Sequence, residues 1–329
     1  MSNKIDIIYP CHAKDTVTVK LAIKYAKKNI KNLRNIYVVS KTKLTNDAIW
    51  ISEDIFPFTF QDMINKIGDH NRTGWYYAGW IHLYSAIVIE NTLDNVLICD
   101  ADTIFCNEVE FVDNDGKSLF NISPGDGTPL YFEHMKKLVD NLTPQTPRPW
   151  SCISHHMIIN KKILKNLMET VEKIHNKPFW EAWIDVTKEK YVTFHKENTP
   201  GYKGNERHIN GPGRATSYEL YCQYALKHFS DKVKIRKFPA VLAYKGHLNV
   251  KGGNFAKAHV SRTNLSVYNN KIQIIDPKIE LEKEFLTLND ALEFHIDACS
   301  KKKFIQVTFQ NHTREGSNNI TGNGHGNKR

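Results

Sequence analysis

The sequence predicts an α/β protein with a mixed, mainly parallel sheet flanked by helices. Two observations lead to this fold class. Short β-branched runs alternate with helix-length amphipathic segments through the first third of the 329 residues, which is the pattern of strands joined by crossover helices. One of those runs, Val96–Cys99, is wholly apolar, as expected of a strand that is covered on both faces.

The elements of the first third follow from local patterns. Ile5–Tyr9 is a β-branched run closed by Pro10, and it is predicted as the first strand. The segment 15–31 has helical periodicity, with Asp15 as the predicted N-cap. Its apolar stripe consists of Val19, Ile23, Ala26 and Ile30. The other predictions here are strands at 35–40, 48–52 and 96–99 and a helix at 74–90.

In the second half of the chain, the residues up to about 250 are predicted to belong to the same core, and the residues after them to lie outside it. The segment 191–214 has little periodicity and several glycines, which is typical of a functional or mobile loop. We expect a core over 1–250, an extension packed on it over 251–310, and a disordered tail over 311–329 with almost no apolar content. Within the core we expect a nucleotide-binding half up to about residue 105 and an acceptor half beyond it. The predicted elements are a strand at 151–160, a helix from Lys161, a helix at 216–229, strands at 233–235 and 240–244, a helix at 288–299 and a closing strand at 304–309.

Composition and charge narrow the class of protein. An apolar content of 41% and a charged content of 24% exclude disordered, collagen-like and coiled-coil chains. No apolar run is long enough to span a bilayer, and the first fifteen residues lack the apolar segment of a signal peptide, so we expect a cytoplasmic protein. The net charge of +10 is carried mostly by scattered lysines, which favours a solvated face over specific nucleic-acid binding. The six cysteines have no paired spacing, and in a reducing compartment nothing in that spacing indicates a disulfide.

The strongest candidate site follows the apolar strand. Asp100 and Asp102 come directly after it, separated only by Ala101. A turn at the strand end lets both carboxylates face one site, beyond the carboxyl ends of the strands where α/β sheets bind ligands. Carboxylate oxygens suit a hard cation such as Mg²⁺ or Mn²⁺, and two adjacent carboxylates repel each other unless a cation lies between them. The alternative is that both aspartates only cap a turn.

These residues carry a family resemblance. The segment LICDADTIF (97–105), preceded by Arg72–Trp75, resembles the DXD region of GT-A-fold nucleotide-sugar glycosyltransferases. The nearest likeness is to an uncharacterised group of glycosyltransferase-like proteins, through the opening strand Asp6–Pro10 and the helix start Ser217–Tyr221. The likeness covers roughly residues 4 to 250.

The resemblance implies a GT-A-like, Rossmann-like fold and a metal-dependent transfer of a sugar from a nucleoside diphosphate sugar, with UDP as the expected nucleotide. In the family's pattern Asp102 binds the Mn²⁺ or Mg²⁺, and Asp100 contacts the metal or the donor ribose. Ala101 lies between them on the donor side. A late histidine often completes the metal site, and His247 has the most suitable setting, with His259 second.

Other donor-binding candidates are placed at predicted strand ends. Pro10, His12 and Ser40 are expected to line the nucleotide side of the cleft. Asp54 is a candidate to accept a hydrogen bond from the uracil N–H, and the alternative is an exposed turn carboxylate. Arg72 is a candidate bidentate donor to phosphate oxygens, and the alternative is a surface salt bridge.

Two acidic residues are candidates for the catalytic base. Glu219 lies at a predicted helix start just after the glycine-rich segment, where a carboxylate on a rigid element could take the proton of an acceptor hydroxyl. The alternative is that Thr216 and Glu219 form a capping box. Asp185 is the reserve candidate. A retaining enzyme can use the donor phosphate instead of such a base, so retaining and inverting chemistry both stay open.

The acceptor side has weaker signals. His155 and His156 lie in a strand-like stretch, so alternation turns one of them inward, where it is a candidate to line the acceptor site. The flat side chains on which a sugar could stack are those of Trp75, Trp150, Trp180 and Trp183. The acceptor itself, a glycan, a protein or a small molecule, is not indicated.

Two rival functions are compatible with the same residues. A phosphatase of the haloacid-dehalogenase type also has a DxD at a strand end, with the first aspartate, here Asp100, as its nucleophile. Such an enzyme normally has that strand near the start of its domain, whereas here about a hundred residues precede it. A catalytically inactive sugar- or nucleotide-binding protein is the non-enzymatic alternative.

Overall fold

The computed structural model describes residues 3–69, 73–124, 129–146, 150–187, 215–236, 240–244, 264–268, 271–275 and 286–310. Strands β1 (Ile5–Pro10), β2 (Leu33–Ser40), β3 (Ile49–Ser52) and β4 (Asn95–Cys99) run parallel, and β9 (His156–Asn160) runs antiparallel to β4. Together they form the central five-stranded sheet, in the order β3-β2-β1-β4-β9. Helices flank this mixed, mainly parallel sheet, which confirms the predicted fold class.

The central strand shows why the sequence folds in this way. The apolar residues Ile5, Ile7 and Ile8 of β1 are buried, because β2 and β4 lie on its two sides and helices cover its faces. Asp6 is also buried in β1, and its carboxylate accepts hydrogen bonds from Arg34 (2.5 Å) and from the backbone N–H of Leu93 (2.7 Å). These donors compensate the buried charge, which would otherwise be very costly.

The helices have the following bounds: α1 Thr16–Asn29, α2 Phe60–Ile67, α3 Thr73–Val88, α4 Pro129–Leu138, α5 Lys161–His175, α6 Phe179–Asp185, α7 Ser217–His228 and α8 Leu288–Lys301. Asp15 occupies the N-cap position of α1, but its side chain does not make the predicted capping bond. Gly79 allows α3 to approach α6 closely, because a Cβ atom there would lie 2.9 Å from Cη2 of Trp183. No helix within the described ranges has the length and apolar character needed to cross a membrane.

Smaller sheets extend the core. β5 (Thr103–Phe105) pairs with β14 (Gln306–Gln310), which also pairs with β11 (Ala240–Tyr244). The closing strand of the described chain therefore lies beside the strand that follows the Asp100–Asp102 turn. The remaining pairs are β6 (Ser118–Asn121) with β10 (Val233–Arg236), β7 (Ser123–Pro124) with β8 (Trp150–Ser151), and β12 (Asn264–Tyr268) with β13 (Lys271–Ile275).

Two sequence-based expectations need correction. The single strand predicted at 151–160 is two strands, β8 and β9, that belong to different sheets and are separated by an irregular segment. Cys152, in that segment, forms a disulfide with Cys222 of α7, 70 residues later, although the spacing of the cysteines did not indicate one. Both corrections concern the same place, where the chain turns from β8 into β9 against α7.

Candidate functional site

The candidate site lies at the carboxyl edge of the central sheet. Because β1 to β4 are parallel, their last residues Pro10, Ser40, Ser52 and Cys99 lie along one edge. The connection from β1 leads to β2 on one side, whereas β4 pairs with β1 on the other. Such a reversal of strand order opens a crevice in which α/β proteins bind ligands.

The Asp100–Asp102 turn occupies this edge and is fixed by backbone hydrogen bonds. The N–H of Thr103 donates to the carbonyl of Asp100 (3.0 Å), and the N–H of Phe309 donates to the carbonyl of Asp102 (2.9 Å). Asp102 and Ala101 are buried, whereas 29% of the Asp100 side chain is exposed. Asp100 is therefore the more accessible carboxylate of the turn.

Three side chains from different elements surround the Asp100 carboxylate. The Tyr218 hydroxyl, on α7, donates to Oδ1 (2.7 Å), and Nδ1 of His155, just before β9, lies 3.1 Å from Oδ2. Nε2 of His82, on α3, lies 3.7 Å from Oδ1. The His82 ring stacks on the Tyr218 ring at 4.9 Å, and its Nδ1 lies 3.2 Å from the Ser217 hydroxyl. We call His82, Asp100, His155 and Tyr218 the Asp100 cluster.

The neighbours of Asp100 in the cluster favour the ionised form of its carboxylate. Burial raises the pKa of Asp100, but the His155 hydrogen bond, the nearby His82 and the Tyr218 hydroxyl outweigh it and hold the pKa below its ordinary value. Burial and the Asp100 charge raise the pKa of Tyr218, so the hydroxyl keeps its proton. Burial lowers the pKa of His82 despite the nearby Asp100. An ionised carboxylate can only accept hydrogen bonds, so Nδ1 of His155 carries the proton in its contact with Asp100.

His155 has an unusual backbone. Its φ angle is +61°, in the left-handed region, and its carbonyl accepts a hydrogen bond from the N–H of Asp100 (3.0 Å). A residue other than glycine in this region costs about 1–3 kcal/mol and persists only where its surroundings enforce it. The backbone and side-chain hydrogen bonds with Asp100 hold His155 in this conformation.

His156 is the buried member of the histidine pair. Its Nδ1 donates to the carbonyl of Ser154 (3.0 Å), so its Nε2 accepts from the Asn121 amide. Asn121 in turn accepts a hydrogen bond from Nε of Arg236 (2.7 Å). Burial, reinforced by Arg236, lowers the pKa of His156 to about 3. His156 is thus a neutral core histidine, and the chain it forms with Asn121 and Arg236 was not predicted from the sequence.

The predicted donor-binding residues that the structure describes lie at or just after the ends of their strands. The polar ones form hydrogen bonds with residues close to them in the sequence. Nδ1 of the exposed His12 accepts from the N–H of Lys14 (3.2 Å), and the buried Ser40 donates to the carbonyl of Thr42 (2.8 Å). Pro10 is the last residue of β1. Asp54 is exposed, and its carboxylate accepts from the Ser52 hydroxyl (2.8 Å). Arg72, His247 and His259 lie outside the described residues.

The candidate base Glu219 is fully buried. Its carboxylate accepts hydrogen bonds from the N–H of Cys152 (2.9 Å) and from the Gln223 amide (2.6 Å). The alternative capping box is wrong, because Thr216 caps α7 without a side-chain hydrogen bond. Glu219 joins α7 to the segment between β8 and β9, beside the disulfide, and its role as a base stays a prediction.

The reserve base Asp185 lies in an ion-pair cluster. Its carboxylate is 2.7 Å from Nζ of Lys177 and 3.3 Å from Nζ of Lys66. Partial burial opposes these lysines, yet they lower the pKa of Asp185 below its ordinary value. Its catalytic role also stays a prediction.

The tryptophans differ in accessibility. Trp183 is buried, and Trp150 and Trp180 are partly buried against the core. Trp75, in the first turn of α3, is 41% exposed and stacks on Tyr131 of α4, with ring centroids 6.5 Å apart. Among these four residues, Trp75 therefore offers the most accessible ring.

Within the described ranges, no three His, Cys, Asp or Glu side chains lie close enough together to form a metal-ligand group. The Asp100 carboxylate nevertheless has the chemistry of a cation ligand, since it is ionised and hydrogen-bonded by neighbours, as ligating carboxylates usually are. A carboxylate offers about four acceptor directions, more than Tyr218 and His155 use. The Asp100 carboxylate therefore has acceptor capacity left for a hard cation, and the roles of Asp100 and Asp102 as metal ligands stay a prediction.

Comparisons with known proteins give no family assignment. No family model and no curated protein matches the chain. Among solved structures, the chain is similar to mouse xyloside xylosyltransferase 1 in its apo form, with 9% identity and a TM-score of 0.36. The match covers 70% of this chain and 85% of that one. A TM-score of 0.36 is too low to indicate a shared function.

Proposed function

We propose that this chain is a glycosyltransferase that transfers a sugar from a nucleoside diphosphate sugar, with UDP as the expected nucleotide, to an acceptor hydroxyl. The observation that carries the proposal is the Asp100 carboxylate, hydrogen-bonded by Tyr218 and His155 at the point where the strand order reverses, on one turn with Asp102. Acidic residues at this edge of an α/β sheet suit the binding of a diphosphate through a cation.

A divalent cation, Mn²⁺ or Mg²⁺, belongs to the proposal. Asp102 and Asp100 would hold it, with His247 as the further ligand that the family resemblance implies. When bound, the cation would offset the charge that develops on the leaving diphosphate. Tyr218 and His155 orient the Asp100 carboxylate and keep it ionised. Pro10, His12, Ser40 and Asp54, along the same edge, would contact the nucleoside, and Arg72 the phosphates.

An acceptor sugar would stack on Trp75. Trp75 and His82 are seven residues apart on α3, so they lie on one face of the helix and about 10 Å apart along its axis. Since His82 contacts Asp100, Trp75 extends that face away from the Asp100 cluster. An exposed ring there suits a sugar whose hydroxyl must reach the donor.

The test is turnover of sugar nucleotides with a named product. The purified chain is incubated with UDP-, GDP- and CMP-sugars, with Mn²⁺ or with EDTA, and free nucleotide and inorganic phosphate are measured. We expect nucleotide release from one donor class only with Mn²⁺, and none from Asp102→Asn. Mn²⁺-dependent binding without turnover would favour the inactive binding protein, and phosphate release from a phosphoester would favour the phosphatase. The absence of both binding and turnover would overturn the proposal.

A further inference from the structure

We infer that His155 is a positioning residue that fixes the Asp100 carboxylate for donor binding, and that the left-handed backbone conformation of residue 155 serves this role. The inference rests on the proposed function, because it concerns how the donor site is held in place. It assigns to His155 a role through Asp100 rather than a contact with the substrate.

The first argument is the double connection between the two residues. The N–H of Asp100 donates to the carbonyl of His155, and Nδ1 of His155 donates to Oδ2 of Asp100. The backbone bond holds the strand-end turn, and the side-chain bond holds the carboxylate that the turn presents. Tyr218 donates to the other oxygen, so donors from two separate elements restrict rotation of the carboxylate.

The second argument is the residue type at this backbone position. Within the described ranges, six residues other than glycine have positive φ angles. Four are asparagines, which tolerate the left-handed region well; these are Asn32, Asn91, Asn141 and Asn176, and the other two are His155 and Lys303. Glycine or asparagine would satisfy the backbone at 155 equally well or better. Histidine also adopts this region more often than most other residue types, and at this position its side chain in addition donates a hydrogen bond to Asp100.

The inference separates the backbone of residue 155 from its hydrogen-bond donor. Asparagine places its amide nitrogen where histidine has Nδ1, so His155→Asn keeps both the backbone preference and the donor. Aspartate has almost the same shape as asparagine, but in His155→Asp it presents an acceptor instead of a donor to Asp100. His155→Gly keeps the backbone conformation and removes the side chain. Lys303→Gly is the matched control, because Lys303 is exposed and also left-handed.

The experiment measures the Mn²⁺-dependent affinity for UDP and the thermal midpoint of each variant. We expect His155→Gly and His155→Asp to weaken UDP binding by about 10- to 100-fold, the usual effect of losing a partner of a ligating group. The midpoint of His155→Gly should stay within about 3 °C of the wild type, since relief of the left-handed strain offsets the lost hydrogen bond. His155→Asn should recover most of the affinity, and Lys303→Gly should bind UDP as the wild type does. A purely structural role would make affinity follow the midpoint instead.

The outcomes distinguish this inference from the proposed function. Wild-type protein that binds no nucleotide with Mn²⁺ would overturn both. Wild-type protein that binds, together with His155→Gly and His155→Asp variants of unchanged affinity, would overturn the role of His155 alone. A His155→Asn variant as weak as His155→Gly would also overturn it, because the donor would then not be the feature that matters.

Discussion

His155 and Asp100 are hydrogen-bonded to each other twice, once through the backbone at 3.0 Å and once through the side chains at 3.1 Å. Their neighbours His156 and Cys99 are paired across β9 and β4. Asp100, the first aspartate of the turn, is therefore held by the residue that directly precedes β9, the antiparallel strand at the edge of the sheet. A site that the sequence places after β4 depends equally on the segment that enters β9.

The Tyr218 hydroxyl should matter for donor binding. Tyr218→Phe removes the donor to Oδ1 of Asp100, so the pKa of Asp100 should rise towards its ordinary value and the carboxylate should lose part of its orientation. We expect UDP binding in Mn²⁺ to weaken about 10-fold and the free energy of unfolding to fall by about 1–3 kcal/mol.

Tyr221→Phe is the control for that variant. Tyr221 lies on the same helix, is buried, and its hydroxyl oxygen accepts from the N–H of Asn160 (2.7 Å) rather than contacting Asp100. It should lower stability without changing UDP affinity. Equal UDP affinities for the two variants, measured by calorimetry, would show that the Tyr218 hydroxyl does not act on the donor site.

Buried His134 should make the protein sensitive to mild acid. Burial lowers its pKa to about 4, against 6.5 in an unfolded chain. The unfolded state therefore binds a proton that the folded state does not bind, and the free energy of unfolding falls as the pH drops from about 6.5 towards 4. Between pH 7 and pH 5 this one histidine should cost about 2 kcal/mol.

His134→Gln tests this prediction. Glutamine keeps an N–H donor for the Trp183 carbonyl, which Nε2 of His134 contacts at 2.7 Å, but it does not titrate. Urea unfolding at pH 7 and pH 5 should show a smaller loss of stability for the variant than for the wild type. Equal losses would mean that His134 is accessible to protons in the folded state.

The Cys152–Cys222 disulfide should contribute to stability. It connects the segment between β8 and β9 to α7, the two elements that also supply His155 and Tyr218. Reduction, or the double variant Cys152→Ala and Cys222→Ala, should lower the free energy of unfolding by about 2–5 kcal/mol. The unreduced, denatured protein should show four reactive thiols, those of Cys11, Cys99, Cys106 and Cys299. Six thiols in protein purified without reductant would contradict the disulfide.

Trp75 should affect the acceptor and not the donor. Trp75→Ala removes the exposed ring next to Tyr131, so the KM for a glycoside acceptor should rise about 10-fold while the KM for the donor stays constant. Trp50→Ala is the matched control, since Trp50 is exposed to a similar degree (39%) but lies on the edge strand β3. A parallel change in both variants would show that any exposed tryptophan has this effect.

The sequence was sufficient for many of the elements and for the position of the Asp100–Asp102 turn, but not for the residues that surround that turn. β1, β2 and β4 are predictable because short apolar β-branched runs bounded by turn residues are typical of buried strands. Tyr218 was overlooked in favour of the adjacent Glu219, because neighbouring helix residues point about 100° apart and only tertiary packing decides which one faces the site. In the sequence, His82 is one polar residue of an apolar helix, and only the tertiary structure shows that it contacts Tyr218 and Asp100. The disulfide was missed for the same reason, since 70 residues separate its cysteines.

The most direct test of the central claim is calorimetric titration of UDP into wild-type protein and into Asp102→Asn, each with Mn²⁺ and with EDTA. Asp140→Asn, a substitution at an exposed aspartate outside the site, serves as the control. We predict that the wild type and Asp140→Asn bind UDP only with Mn²⁺, and that Asp102→Asn folds normally but does not bind. UDP binding by Asp102→Asn that equals the wild type, or that persists in EDTA, would contradict a cation-dependent donor site on the Asp100–Asp102 turn.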